Sequence, residues 1–234
     1  MTGVEEPRVD LGLLVAEFVG MLVVAAAILF GVAGTIAWPA GWVFLVLFFG
    51  PGAALTVWLV RHDPGLVVER MTGIGKPDRG RWDQAFVALA SALLIAWLVL
   101  VPLDAVRFGW SHVPAPVQVA GVLLFLASFW LQVLVFRENS FLSSAIRIQS
   151  ERGQKVVDTG PYRHVRHPLY ASLLGLLVGA TLMLGSWLGL LVVLALAAAV
   201  AARAVDEERR LLRDLPGYDA YAERVRYRLV PRMW

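Results

Sequence analysis

Six runs of nearly uninterrupted apolar residues divide this chain, and only a bilayer tolerates so many. They cover residues 11–36, 43–60, 85–103, 117–136, 169–184 and 187–204. A hydrocarbon core about 30 Å thick is crossed by roughly 20 helical residues. Lipid offers no partner to backbone N–H and C=O groups, so each run must satisfy its own backbone as a helix. The last two runs are short and meet at Gly185-Ser186, which demands a helical hairpin. The expected fold is an all-α integral membrane protein of about six transmembrane helices, ending in a short helical hairpin and a cytoplasmic C-terminal amphipathic tail. Composition agrees: 59% of the 234 residues are hydrophobic and 17% charged, where a soluble domain carries about 25% charged residues.

Basic residues test the layout independently. With the N-terminus inside, the cytoplasmic segments hold Arg8, then Arg61, Arg70, Lys76, Arg79 and Arg81, then six cations between Arg137 and Arg166, and eight from Arg203 to Arg232. Arg107 alone falls outside, so 20 of the 21 Lys and Arg lie on one side. That asymmetry predicts both termini in the cytoplasm, in a prokaryotic inner membrane. The net charge of +3 then reports membrane topology and not nucleic-acid binding. The first run lacks a small-residue cleavage site and reads as a retained helix, with one acid, Glu17, expected to be buried. The absence of cysteine excludes disulfides and thiolate chemistry, and no residue cluster suggests a metal site.

Polar residues suited to chemistry concentrate in segments 154–170 and 203–221. Hairpin closure brings these to one end of the bundle. In the first segment, Pro168 suits the opening turn of a helix, where its missing N–H costs nothing. His167 then stands at the helix entrance, where free N–H groups and the dipole favour an anion. Tyr170, three residues on, shares its face. In the second segment, Arg203 and Glu207 are one turn apart and can pair. Pro216-Gly217 breaks that helix. Tyr218, Tyr221, Val225 and Leu229 form an amphipathic tail that lies on the membrane or caps the site. Gly175 and Gly179, four apart, allow close packing within the hairpin.

Gly160-x-Tyr162, Arg166-His167-Pro168-x-Tyr170, a hairpin, Glu207-Glu208-x-x-Leu211, Tyr218-x-x-Tyr221 and a final Pro231 resemble the isoprenylcysteine carboxyl methyltransferase family and its phospholipid methyltransferase relatives. The resemblance covers roughly the last 85 residues; the first four spans match only in being apolar. It implies an S-adenosyl-L-methionine-dependent methyltransferase that releases S-adenosyl-L-homocysteine. The cofactor pocket is expected at the cytosolic face, and a lipophilic or prenylated substrate enters from the bilayer. Residues 1–136 then form an N-terminal four-helix membrane region, and residues 137–234 a cofactor-binding catalytic region.

By position, the resemblance implies that Tyr162, His167, Pro168, Leu169 and Tyr170 line the cofactor, with Gln154, Lys155, Val156 and Val157 on a preceding loop. Glu207 matches a cofactor-binding acid and Arg203 an arginine that meets the acceptor carboxylate. Segment 208–218 is short for the family and contains Pro216, so Glu207 and Glu208 both stand as the acid. The implied acceptor is the carboxylate of an isoprenylated cysteine or similar isoprenoid acid. A carboxylate is already an anion and needs no general base, so alignment and exclusion of water suffice. A phospholipid amine would need a proton sink, for which Glu207, Glu208 or His164 stand nearby in sequence.

Two other readings compete. Membrane sterol-type reductases carry a similar His-Pro-x-Tyr segment and bind NADPH, but their pattern has Asn where Leu169 stands and an acid soon after the tyrosine, absent from residues 171–174. A scaffold or transporter subunit predicts no small-molecule pocket, and Glu17 and Gln132 are too few polar residues for a transport path.

Overall fold

The computed structural model describes residues 9–73, 80–143 and 147–234. Arg8, Lys76 and Arg79, counted above among the cytoplasmic cations, lie outside them. The elements are α1 (Leu11–Ala33), α2 (Pro39–His62), α3 (Pro64–Gly73), α4 (Arg81–Pro102), α5 (Ala115–Glu138), α6 (Pro168–Leu184), α7 (Gly189–Asp214) and α8 (Tyr218–Arg224). A π-helical turn, Leu103–Arg107, continues α4, and short 3₁₀ turns occupy Ser150–Arg152 and Gly160–Arg163. No strand occurs among the described residues. The fold is all-α, with five helices long and apolar enough to cross a membrane, α1, α2, α4 with its π turn, α5 and α7; α6 is a shorter apolar helix of 17 residues.

The helix boundaries follow local chemistry. Asp10 caps α1 by accepting from the Leu13 N–H at 3.0 Å, and prolines open α2 and α6 at their first turns. The main apolar cluster draws Leu29 and Phe30 from α1, Phe44 and Phe49 from α2, and Trp97 and Val101 from α4. Phe125 of α5, Met183 of α6 and Val193 of α7 complete it. Among buried polar groups, Trp97 Nε1 donates to Thr181 Oγ1 at 2.8 Å.

Two features lock the last hairpin. Asp104 is fully buried, and its Oδ2 accepts from Ser186 Oγ and Ser111 Oγ at 2.6 Å each and from the Leu188 N–H at 3.2 Å. The tight turn at Gly185-Ser186 is therefore tied to the end of α4. The second is contact between α5 and α6. A Cβ on Gly179 would stand 2.6 Å from the Phe125 nitrogen, and one on Gly121 2.6 Å from the Met183 nitrogen. Backbones this close require glycine. The glycine pair thus packs α6 on α5, not on its hairpin partner: Gly121, outside the motif, completes the contact.

Three other expectations need correction. Segment 61–83, which no apolar run covers, is not merely a connection: it contains α3, because Leu66 and Val67 bury against Leu59 and Phe136. Glu17 is exposed on the outer face of α1, since the neighbouring apolar residues turn that face outward too. The His167 N–H is not free for an anion: it donates to the Arg228 carbonyl at 2.9 Å, as the Arg166 N–H does to Tyr227. The C-terminal tail folds back along the entrance of α6.

Candidate functional site

Segments 137–166 and 203–234 converge at the end of the bundle that carries nearly all the cations. Tyr162, in the Gly160–Arg163 turn, is buried. Its hydroxyl accepts from Asn139 Nδ2 and its carbonyl accepts from the Tyr221 hydroxyl, both at 2.9 Å. One residue thereby joins α5, the loop and α8. Tyr218 and Tyr221 pack with Leu215, Val225, Val156 and Ile148, so the tail caps the site. Burial holds the Tyr162, Tyr218 and Tyr221 phenols well above the usual range, and they remain neutral hydrogen-bonding groups.

Pro168 starts α6 and sets His167 and Tyr170 on one face, their rings stacked with centroids 5.5 Å apart. Across from them runs α7. The Tyr170 hydroxyl donates to Glu207 Oε2 at 2.7 Å and accepts from Arg203 Nε at 3.0 Å. Tyr170 therefore bridges Arg203 and Glu207. Arg203 is itself buried, with its Nη1 paired to Asp83 of α4 and its guanidinium 4.4 Å over the Phe86 ring.

Glu207 and Glu208 are separated by their surroundings. Glu208 is buried, 3.1 Å from His167 Nε2, 3.0 Å from Arg166 Nε and 2.8 Å from Arg228 Nε. Its carboxylate is saturated and does not line the cavity described next. Glu207 is half-buried and does line it. Consecutive helical residues lie about 100° apart around the axis, so only one of the two can face inward.

A cavity of about 600 Å³ runs between α2, α3, α4, α6, α7, α8 and the loop. It is within the range of small-molecule sites. The structure brings together around it Gln154, Lys155, Val156, Val157, Tyr162, His167, Pro168, Leu169, Tyr170, Arg203 and Glu207. Of the residues expected at the site, Glu208 alone lies behind the wall. His164 is exposed and off the cavity, which removes it as a proton sink. Wall residues on α7 run from Leu196 to Asp214, roughly 27 Å at 1.5 Å per residue. The cavity thus reaches from the polar end deep into the apolar zone, where Phe48, Leu94, Leu177 and Leu196 form its walls. Sequence reading missed Phe48, Phe86, Val87, Ala90 and Leu94, because apolar residues of a span carry no sign of which faces a cavity, and Arg70, because it sits on a helix that the sequence does not reveal.

Residues 117–216 match the family model of phospholipid methyltransferase. That family includes the isoprenylcysteine carboxyl methyltransferases, so the resemblance read from the motifs holds. The match begins in α5 and ends just beyond α7, covering the loop, His167, Tyr170, Arg203 and Glu207. The phospholipid methyltransferase match supports a membrane methyltransferase and gives no support to the reductase or the scaffold. No curated protein matches the chain.

Proposed function

We propose that this protein is an S-adenosylmethionine-dependent methyltransferase that acts on a lipophilic acceptor, with the carboxylate of an isoprenylated cysteine or similar isoprenoid acid as its substrate. The observation that carries the reading is the single cavity whose wall passes from Glu207, Tyr170 and Tyr162 to Leu94, Leu177 and Leu196. A polar cofactor and an apolar chain meet in one space there. The basic end of the bundle then faces the cytoplasm, where the cofactor is made available.

The residues fit the cofactor. The Tyr218 hydroxyl is buried on the cavity wall and has no hydrogen-bond partner among the described residues, as expected of a group awaiting a ligand. Glu207 accepts hydroxyl or ammonium protons, Val156, Val157 and Leu169 supply apolar surface, and Gln154 and His167 complete the polar wall. S-Adenosylmethionine, when bound, supplies a methyl group on a positively charged sulfur, which keeps the electron pair as the acceptor oxygen takes the methyl. Everything else is alignment and dryness. Tyr170 and Arg203 hold the Glu207 carboxylate in one orientation, with Arg203 acting as a positioning residue because Asp83 and Tyr170 already occupy Nη1 and Nε. The tail caps the polar end, and the apolar wall holds the chain, which together exclude water.

Methylation of a phospholipid amine is the second reading, favoured by the match to the phospholipid methyltransferase family model. One experiment separates the two. Membranes containing the protein are incubated with methyl-labelled S-adenosylmethionine and either an S-farnesylated N-acylcysteine or phosphatidylethanolamine. Ester product releases labelled methanol in alkali; amine product does not. Label in the farnesylated acid, volatile after alkali, is expected. Label only in phosphatidylethanolamine, stable to alkali, supports the second reading instead.

A further inference from the structure

Arg70, near the end of α3, is a half-buried cation with no counter-charge among the described residues. Its Nη1 is buried and has no hydrogen-bond partner among them, while its guanidinium lies 5.0 Å over the Phe136 ring. It lines the same cavity as Leu142 and Leu169, which belong to the apolar cluster around Phe136. The acid next to it in sequence is spent elsewhere: Glu69 takes Arg147 Nη2 at 2.7 Å and Nε at 3.1 Å, and Ser143 Oγ at 2.8 Å.

Every other arginine on the wall meets a carboxylate. Arg147 pairs with Glu69, Arg166 with Glu208, Arg203 with Asp83, Arg210 with Asp206 and Arg213 with Asp214. Lys155 is exposed, so water screens it. Burial pushes the Arg70 pKa below the usual guanidinium value, yet arginine stays protonated at physiological pH. A cation with a buried, unpaired N–H group and no counter-charge nearby is costly to keep. Such a group persists where a ligand supplies the missing anion.

We propose that Arg70 anchors an anionic group, carboxylate or phosphate, on the lipophilic acceptor. The proposal rests on the methyltransferase reading for what carries the anion. Two observations point to acceptor and not cofactor. Arg70 lies far before residues 117–216, the matched region, whereas the polar groups suited to the cofactor lie within that region or, as Tyr218 does, just past its end. It also stands on α3, while the polar groups suited to the cofactor, Tyr170, Glu207 and Tyr218, come from α6, α7 and α8. A planar guanidinium grips either anion at two points, and the Phe136 ring lies on one side of it. The apolar surface of the Phe136 cluster, Leu142 and Leu169, receives the first carbons of the chain.

The test uses the full-length protein in a nonionic detergent, the parent beside Arg70→Met and Arg70→Lys. Calorimetry follows four probes: oleate, monooleoyl phosphatidate, uncharged oleyl alcohol and S-adenosylhomocysteine. Arg70→Met is expected to bind at least one of the two anions about tenfold or more weakly, the loss of one charge-assisted contact. Oleyl alcohol and S-adenosylhomocysteine are expected to bind it as they bind the parent. Which anion suffers identifies the headgroup. Arg70→Lys, which keeps the charge and loses the fork, is expected to fall between, and it carries the test if the methionine variant does not fold. Without ligand, Arg70→Met is expected to melt no lower than the parent. Unchanged affinity for both anions overturns the proposal, and so does a loss confined to S-adenosylhomocysteine, which places Arg70 on the cofactor. If S-adenosylhomocysteine binds none of the three proteins, the methyltransferase reading fails, while the oleate and phosphatidate arms still decide whether Arg70 holds an anion.

Discussion

The Asp83 carboxylate at the start of α4 pairs with the Arg203 guanidinium on α7, both side chains almost wholly buried. This contact joins a helix outside the family match to the last part of the matched region. Arg203 then reaches Tyr170, and Tyr170 reaches Glu207. The inward acid is therefore held by a chain of contacts that begins on α4.

Breaking the chain at its origin is expected to be costly. Asp83→Ala leaves the Arg203 charge buried and is expected to lower stability by about 3–5 kcal/mol. Equilibrium unfolding in mixed detergent micelles measures this. The affinity for S-adenosylhomocysteine is expected to fall with it, because Glu207 loses its orientation.

The two adjacent acids separate cleanly. Glu207→Gln is expected to weaken S-adenosylhomocysteine binding about tenfold, the value of a charge-assisted hydrogen bond, with little loss of stability. Glu208→Gln is expected to lose about 1–3 kcal/mol of stability, since His167, Arg166 and Arg228 share one carboxylate. Calorimetry and unfolding on both variants check the division; equal losses of affinity would contradict it.

Tyr170→Phe removes the hydroxyl that donates to Glu207 and accepts from Arg203. Stability is expected to drop by about 1–2 kcal/mol, with a several-fold weaker cofactor. Thermal unfolding with and without S-adenosylhomocysteine reads both effects.

Gly179→Ala pushes a methyl group into the α5 backbone. Overpacking of this kind is expected to cost about 1–3 kcal/mol. A variant as stable as the parent would show that α5 and α6 separate easily.

Much of the fold is legible in the sequence because lipid imposes a simple rule. A run of apolar residues must be a helix, and every one of the six runs falls on a helix. What the runs conceal is how they face. Glu17 looked inward by its polarity, yet it lies on the outer face of α1. Helix α3 was hidden among Gly, Pro and charged residues, since its two buried positions, Leu66 and Val67, are too few to show a period. The site was partly legible because Pro168, His167 and Tyr170 have fixed offsets on a helix. Asp83 and Arg70 were not, because their significance is a long-range pairing in one case and the lack of one in the other. No local pattern records either.

The most direct measurement is titration of the purified protein with S-adenosylhomocysteine and, separately, with NADPH. Saturable binding of S-adenosylhomocysteine, weakened by Glu207→Gln, and no binding of NADPH are expected. Binding of NADPH with none of S-adenosylhomocysteine would contradict the methyltransferase reading.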